Sequence, residues 1–222
     1  MFAILLVMAS TSIVVIILVS LCAIVISAVL HELMHGYVAK YLGDTTAQEQ
    51  GRLTLNPIAH IDPIFTVALP VLLAVSGMPI FGAAKPVPVQ GHRLRGEEFG
   101  MALVAVMGPL TNLFLATLGA LIYAFIPASG ALWDIWWQYF IMINIGFFIF
   151  NMIPIPPLDG SRVLYAFAPE PMQRVMAQLE RFGIFIVFAL VLLGMPFLGP
   201  IIQTVYSSIG DFLLSINGGP GL

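Results

Sequence analysis

Apolar residues run from position 1 to position 30, with a polar knot at Ser10-Thr11-Ser12, and the pattern resumes after one ionisable cluster to end at Leu42. A single helix over residues 4–42 holds 39 residues. At ~1.5 Å each these exceed the ~30 Å hydrocarbon core of a bilayer, so the helix must tilt, bend near the knot or emerge into water. Gly43 ends it, and residues 44–62 form the first polar stretch, with turns marked by Asn56-Pro57 and Asp62-Pro63. Residues 64–80 are apolar again but short, and they carry Pro70 and end in Ser76-Gly77-Met78-Pro79. That places them at the boundary between a span and a re-entrant segment. Residues 85–98 are too rich in proline and charge to be embedded, and predict a short extended edge.

The later chain repeats the alternation. Residues 99–126 predict a clear span, and the helix ending at Phe150 opens with Trp133, Trp136, Trp137 and Tyr139, an aromatic belt at a membrane interface. Pro154, Pro156 and Pro157 stop that helix and predict extended backbone over 151–160. Residues 169–181 are amphipathic, 183–197 form another hydrophobic helix, and Gly199-Pro200 divides it from a weaker apolar segment, 201–216. The expected fold is an all-α polytopic membrane protein. It has a three-helix core, a re-entrant segment, one or two C-terminal membrane helices and short extended or β edges on the cytoplasmic side.

Composition agrees. Of 222 residues 60% are hydrophobic and 9% charged, and the mean hydropathy is +1.03, values that exclude an ordinary soluble domain. A net charge of -3 with scattered basic residues offers no stripe for nucleic acid. No polar linker divides the chain, so one membrane domain over 1–222 is expected, its core at about 4–160. Cys22 is the single cysteine, which excludes an intramolecular disulfide. The first apolar run lacks a basic start and a small-residue cleavage site, and is expected to be a retained span.

The ionisable cluster is His31-Glu32-Leu33-Met34-His35. On a helix two histidines four positions apart project from one face, as two ligands of one metal require, and Glu32 lies within reach of a water on that metal. Charged and imidazole groups at membrane depth are costly and mark functional sites. Nine residues separate His31 from Lys40, which recesses the site ~13 Å below the emerging end of the helix. A catalytic zinc takes three protein ligands and keeps one position open. Asp159 is the best third candidate, because it follows directly on a span at the point where prolines break the helix. His60, beside Asp62, suits a structural hydrogen bond better than a metal. Asn112 and Asn151 are buried amides that either link helices or contact substrate backbone.

Counting crossings tests the choice of Asp159. If residues 64–80 enter and return, Asp159 arrives on the same side as the emerging end of the histidine helix; if they cross, it arrives opposite. The re-entrant path also puts all eight Lys and Arg on one side, whereas full crossing splits them two against six. The positive-inside rule then makes that side cytoplasmic and the N-terminus external.

These residues resemble the site-2 protease family of intramembrane zinc metalloproteases. The matching strings are His31-Glu32-Leu33-Met34-His35-Gly36, Gly108-Pro109-Leu110-Thr111-Asn112 and the run from Asn151 through Pro154, Pro156, Pro157 and Leu158 to Asp159-Gly160. Asn56-Pro57 and His60-Ile61-Asp62-Pro63 resemble a small branch of that family without PDZ or CBS modules. The resemblance implies one Zn2+ per chain held by His31, His35 and Asp159, with Glu32 as the catalytic acid/base. The substrates it implies are single-span membrane proteins or their remnant peptides, cut within or near the membrane. A metal transporter and a non-cleaving scaffold are the alternatives; the first lacks paired repeats, and the intact Glu32 argues against the second.

Overall fold

In a computed structural model residues 13–77, 85–126 and 130–217 are described, and among these the chain is helical with no strand. The knot at 10–12, the close of the 64–80 segment and the end of the chain from 218 lie outside the described residues. Among the described residues three helices are long and apolar enough to cross a membrane: α1 (Ile13–Tyr41), α3 (Glu97–Phe125) and α4 (Ala131–Asn151). Between α1 and α3 lies α2 (Pro63–Val75), six residues of π-helix followed by seven of α-helix. At ~1.5 Å per residue it reaches ~20 Å, too short to cross. After α4 come α5 (Asp159–Phe167), α6 (Glu170–Glu180), α7 (Gly183–Ala189) and α8 (Met195–Asn217).

Two hydrogen bonds define the path. The Lys85 N–H donates to the His60 carbonyl at 2.8 Å, so the chain that departs into α2 is back at its starting point by residue 85. The Arg95 N–H donates to the Leu42 carbonyl at 2.8 Å, which sets the start of α3 beside the end of α1. Helix α3 therefore runs antiparallel to α1, and α4 returns parallel to it. Ala23, Ile24 and Ala28 of α1 pack against Phe140, Ile143 and Phe147 of α4. Ala116 and Ala120 of α3 pack with Ile141 and Ile145 of α4 and Tyr206 of α8. Small residues permit this approach: a methyl group on Gly119 would stand 3.1 Å from Phe140 and 3.3 Å from Trp137. The opposite faces expose Leu18, Leu103 and Phe114, suited to lipid.

Three expectations are corrected. Residues 85–90 have no regular structure and pair with no strand. The Lys85, Val87 and Gln90 N–H groups are taken by His60, Glu32 and Asp44, and Pro86 and Pro88 have none, so the segment is a strap anchored to its neighbours rather than a free edge. The proline-rich break after α4 is a succession of tight turns instead of extended backbone, closed by Ile155 N–H to Ile153 O at 2.8 Å and Leu158 N–H to Ile155 O at 3.0 Å. Finally, Pro200 lies inside α8, and the irregularity falls earlier, in a π turn over Leu190–Gly194. One lost helix hydrogen bond is tolerated where Ile202, Val205 and Tyr206 pack on α3 and α4.

The strap is tied to α1 by Asp44, which is 1% exposed. Its carboxylate accepts the Gln90 N–H at 2.6 Å, the Thr46 N–H at 3.0 Å and the Thr46 hydroxyl at 2.5 Å. Burial by itself would raise this carboxyl, but the Gln90 and Thr46 hydrogen bonds and the charge of Arg93 hold it below the ordinary carboxylate value. A depressed pKa stabilises the fold above the unfolded value of ~3.9, and the contribution is lost as pH falls through the lower folded value. Asp44→Ala strands two buried N–H donors and is expected to cost ~1–3 kcal/mol at neutral pH. Thermal melts in detergent at pH 7 and pH 3 check this: the gap between native and variant should narrow at the acid end.

Candidate metal centre

His31 and His35 face one way because they lie one turn apart on α1, and both are buried, at 6% and 8% exposure. Asp159 reaches them as the first residue of α5, delivered by the proline turns. The His31 and His35 Nε2 atoms stand 2.9 Å apart, and the Asp159 Oδ2 lies 3.2 Å from the first and 3.5 Å from the second. Among the described residues these three form the group able to share one ion.

The donor set fits a tetrahedral metal. Three ligands each ~2.0–2.1 Å from a tetrahedral zinc stand ~3.4 Å from one another, close to the separations seen. Their chemistry fits as well. The His35 Nδ1 lies 2.8 Å from the Val104 carbonyl and the His31 Nδ1 lies 2.5 Å from the Asn112 Oδ1. Both partners are acceptors only, so each Nδ1 carries the proton and each Nε2 presents a lone pair. Two lone pairs and a carboxylate oxygen thus converge on one buried point, an arrangement that needs a cation.

Gly108 supplies the room. A Cβ there would lie 2.4 Å from the His35 ring and 2.7 Å from the His31 Nε2, so α3 passes the imidazole pair with only backbone between them. Gly160, beside Asp159, is equally tight: a Cβ would stand 2.3 Å from the Met152 carbonyl. Glu32, between the histidines, accepts the Val87 N–H from the strap through Oε2 at 2.6 Å.

The other candidates are not in the ligand group. His60 is buried, hydrogen-bonds the Thr54 carbonyl at 2.9 Å and is outside the ligand group. Asn112 is fully buried and spent on His31, Asn144 and Ser27, so a contact with substrate would have to displace these partners. Asn151 is half-buried, and its amide donates to the Phe147 carbonyl one turn back at 3.0 Å. Gly108, the Val104 carbonyl and the Val87 N–H were not foreseen as site elements. The Gly108-Pro109 pair was the sole sequence signal for any of them.

A bundle of membrane-length apolar helices enclosing two histidines, a carboxylate and a neighbouring glutamate defines a membrane metallohydrolase. Comparison narrows the class. The model of peptidase family M50 matches residues 128–194. YwhC of Bacillus subtilis is 36% identical over 84% of this chain and 86% of its own length. Rip2 of Mycolicibacterium smegmatis is 31% identical over 86% of this chain and 75% of its own, and Rip2 of Mycobacterium tuberculosis 31% over 90% and 72%. All three carry the name zinc metalloprotease as a provisional assignment. No solved structure was found to match the chain. The chain belongs to peptidase family M50, the site-2 protease family, and is a metallopeptidase.

Replacing Gly108 by Ala places a methyl group where the imidazoles stand. The expected result is a helical protein whose zinc content after purification falls well below that of the native chain, measured by atomic emission against circular dichroism.

Proposed function

We propose that this chain is an intramembrane zinc protease that hydrolyses peptide bonds within or near the membrane segment of anchored, single-span proteins or their remnants. The observation that carries the reading is the meeting of Asp159 with His31 and His35 beside Glu32, inside a bundle whose outer faces are apolar. His31, His35 and Asp159 would hold the zinc. Zinc supplies, when bound, a Lewis acid for the scissile carbonyl and acidity for a water molecule. The Glu32 carboxylate takes the proton from the attacking water and returns it to the leaving amine nitrogen, so that water is consumed and an acid and an amine are released. The Val87 N–H fixes one Glu32 oxygen, which limits the rotamers open to the base. Asn151, at the lip of the break that carries Asp159, has a second amide hydrogen and an oxygen suited to substrate backbone.

A helical substrate hides its amides in its own hydrogen bonds and must unwind before attack. A recessed site sheltered from lipid and reached by water suits that need. Charge supports an opening toward the cytoplasm, with the N-terminus outside. Lys40, Arg52, Lys85, Arg93 and Arg95 cluster around the joined ends of α1 and α3, where Arg52 donates to the Lys85 carbonyl at 2.9 Å. Arg162, Arg174 and Arg181 belong to α5 and α6, and Gln173 of α6 reaches Glu98 in the first turn of α3 at 3.3 Å. One basic end favours the cytoplasmic side.

Reconstitution with single-span model substrates tests the proposal. The native chain is expected to release products cut at membrane depth, identified by mass spectrometry. Glu32→Gln should keep zinc and lose cleavage by at least ~100-fold, the low end for a missing general base. A Glu32→Gln protein that cuts at the native rate refutes the assignment.

A further inference from the structure

We propose that a buried amide relay through Asn112 decides which nitrogen of His31 is offered to the metal, making Asn112 a positioning residue for zinc. The inference rests on the zinc reading of the site. The relay starts at the Phe140 backbone carbonyl, which can only accept. The Asn144 Nδ2 donates to the Phe140 carbonyl and to the Ser27 hydroxyl, both at 2.8 Å. That turns the Asn144 Oδ1 toward Asn112, whose Nδ2 donates to it at 2.9 Å and reaches the Ser27 carbonyl at 3.4 Å. The Asn112 Oδ1 is then the atom left for His31, 2.5 Å from Nδ1. Since that oxygen only accepts, Nδ1 keeps the proton and Nε2 is bare.

Flipping Asn112 would break each step. Its oxygen would face the Ser27 carbonyl, and its NH2 would face the His31 Nδ1, driving the imidazole proton onto Nε2, the atom that must coordinate. Ser27, Asn112 and Asn144 are each 0% exposed, so solvent cannot repair a misdirected amide. His35 needs no such relay, because the Val104 carbonyl fixes it directly. The two histidines therefore differ: one is oriented by backbone, the other by side chains from α3 and α4, and only the second can be altered by substitution at a distance.

Inter-helix glue is the competing explanation for buried amides, and zinc affinity separates the two. The full chain is purified in detergent, stripped, and titrated with zinc against a chromophoric chelator; Co2+ replaces zinc for visible spectra. Asn112→Leu is expected to bind zinc about 10- to 100-fold more weakly, the range for lost partners of metal-bound histidine, with an altered Co2+ spectrum at native helical content. Asn112→Asp, which still accepts from Nδ1 but no longer donates to Asn144, should bind zinc more tightly than Asn112→Leu. Asn144→Leu, which touches no ligand, should lie between native and Asn112→Leu. Native affinity and spectrum in Asn112→Leu overturn the relay. Should that variant fail to fold, Asn144→Leu decides alone, and native affinity and spectrum there overturn it too. A native chain that binds no zinc defeats the metalloprotease reading itself, whereas native binding with an unaffected Asn112→Leu defeats the relay only.

Discussion

Three electron-pair donors pointing at one spot inside an apolar bundle make an unstable arrangement unless something positive lies between them. The rest of the structure follows from accommodating that convergence. Two donors come from one turn of α1, but the third arrives from the far side of two further helices, so α3 and α4 must be aligned before Asp159 can join. Helix α3 must also pass the imidazoles at backbone distance, which is why a residue without a side chain stands at Gly108. Mutual repulsion among the donors is thus held in check by packing that has no slack at that point.

Polar groups away from the centre obey the same rule. Without water in the hydrocarbon core, a lone amide or carboxylate there costs several kcal/mol, and each one needs a partner. Asn112, Asn144 and Ser27 satisfy one another across three helices. At the polar end Asp44, Arg52 and His60 hold the strap through its backbone, and the strap in turn holds Glu32. Hydrogen bonds therefore join the base to Asp44, just after α1, and to the loop before α2, residues that are not ligands.

Much of this was legible in the chain. Four-residue spacing fixes two histidines on one helical face, and three prolines within four positions force a break wherever they stand, so His31, His35 and Asp159 could be paired by counting crossings. The shortness of α2 was equally plain from its apolar length. What escaped was set by tertiary contact. Nothing local says that the Lys85 amide will find His60, or that Asn112 will turn its oxygen to His31 when a substrate contact is just as compatible with a buried amide. Proline content at 85–90 and 151–160 suggested extended backbone, because a missing N–H rules out helix. It does not rule out turns or anchoring to side chains, and both segments took those routes. Gly199-Pro200 misled in the opposite direction, since packing of α8 outweighed one missing helix hydrogen bond.

The sequence match to the M50 model covers residues 128–194, which include Asp159 but neither histidine. A metal site cannot be conferred by that half alone, because one carboxylate is not a zinc site and the donors it needs lie on α1. Conversely, the histidine pair without the proline turns has two ligands and lacks the third. Each half supplies what the other lacks: α4 packs on α1 through apolar side chains and the Asn144–Ser27 hydrogen bond, and the metal donors add a second contact beside it. Metal binding and the docking of the α4–α5 corner onto α1 are therefore coupled: whatever aligns Asp159 raises affinity for zinc, and zinc, by binding the aligned state, favours the docked bundle by mass action.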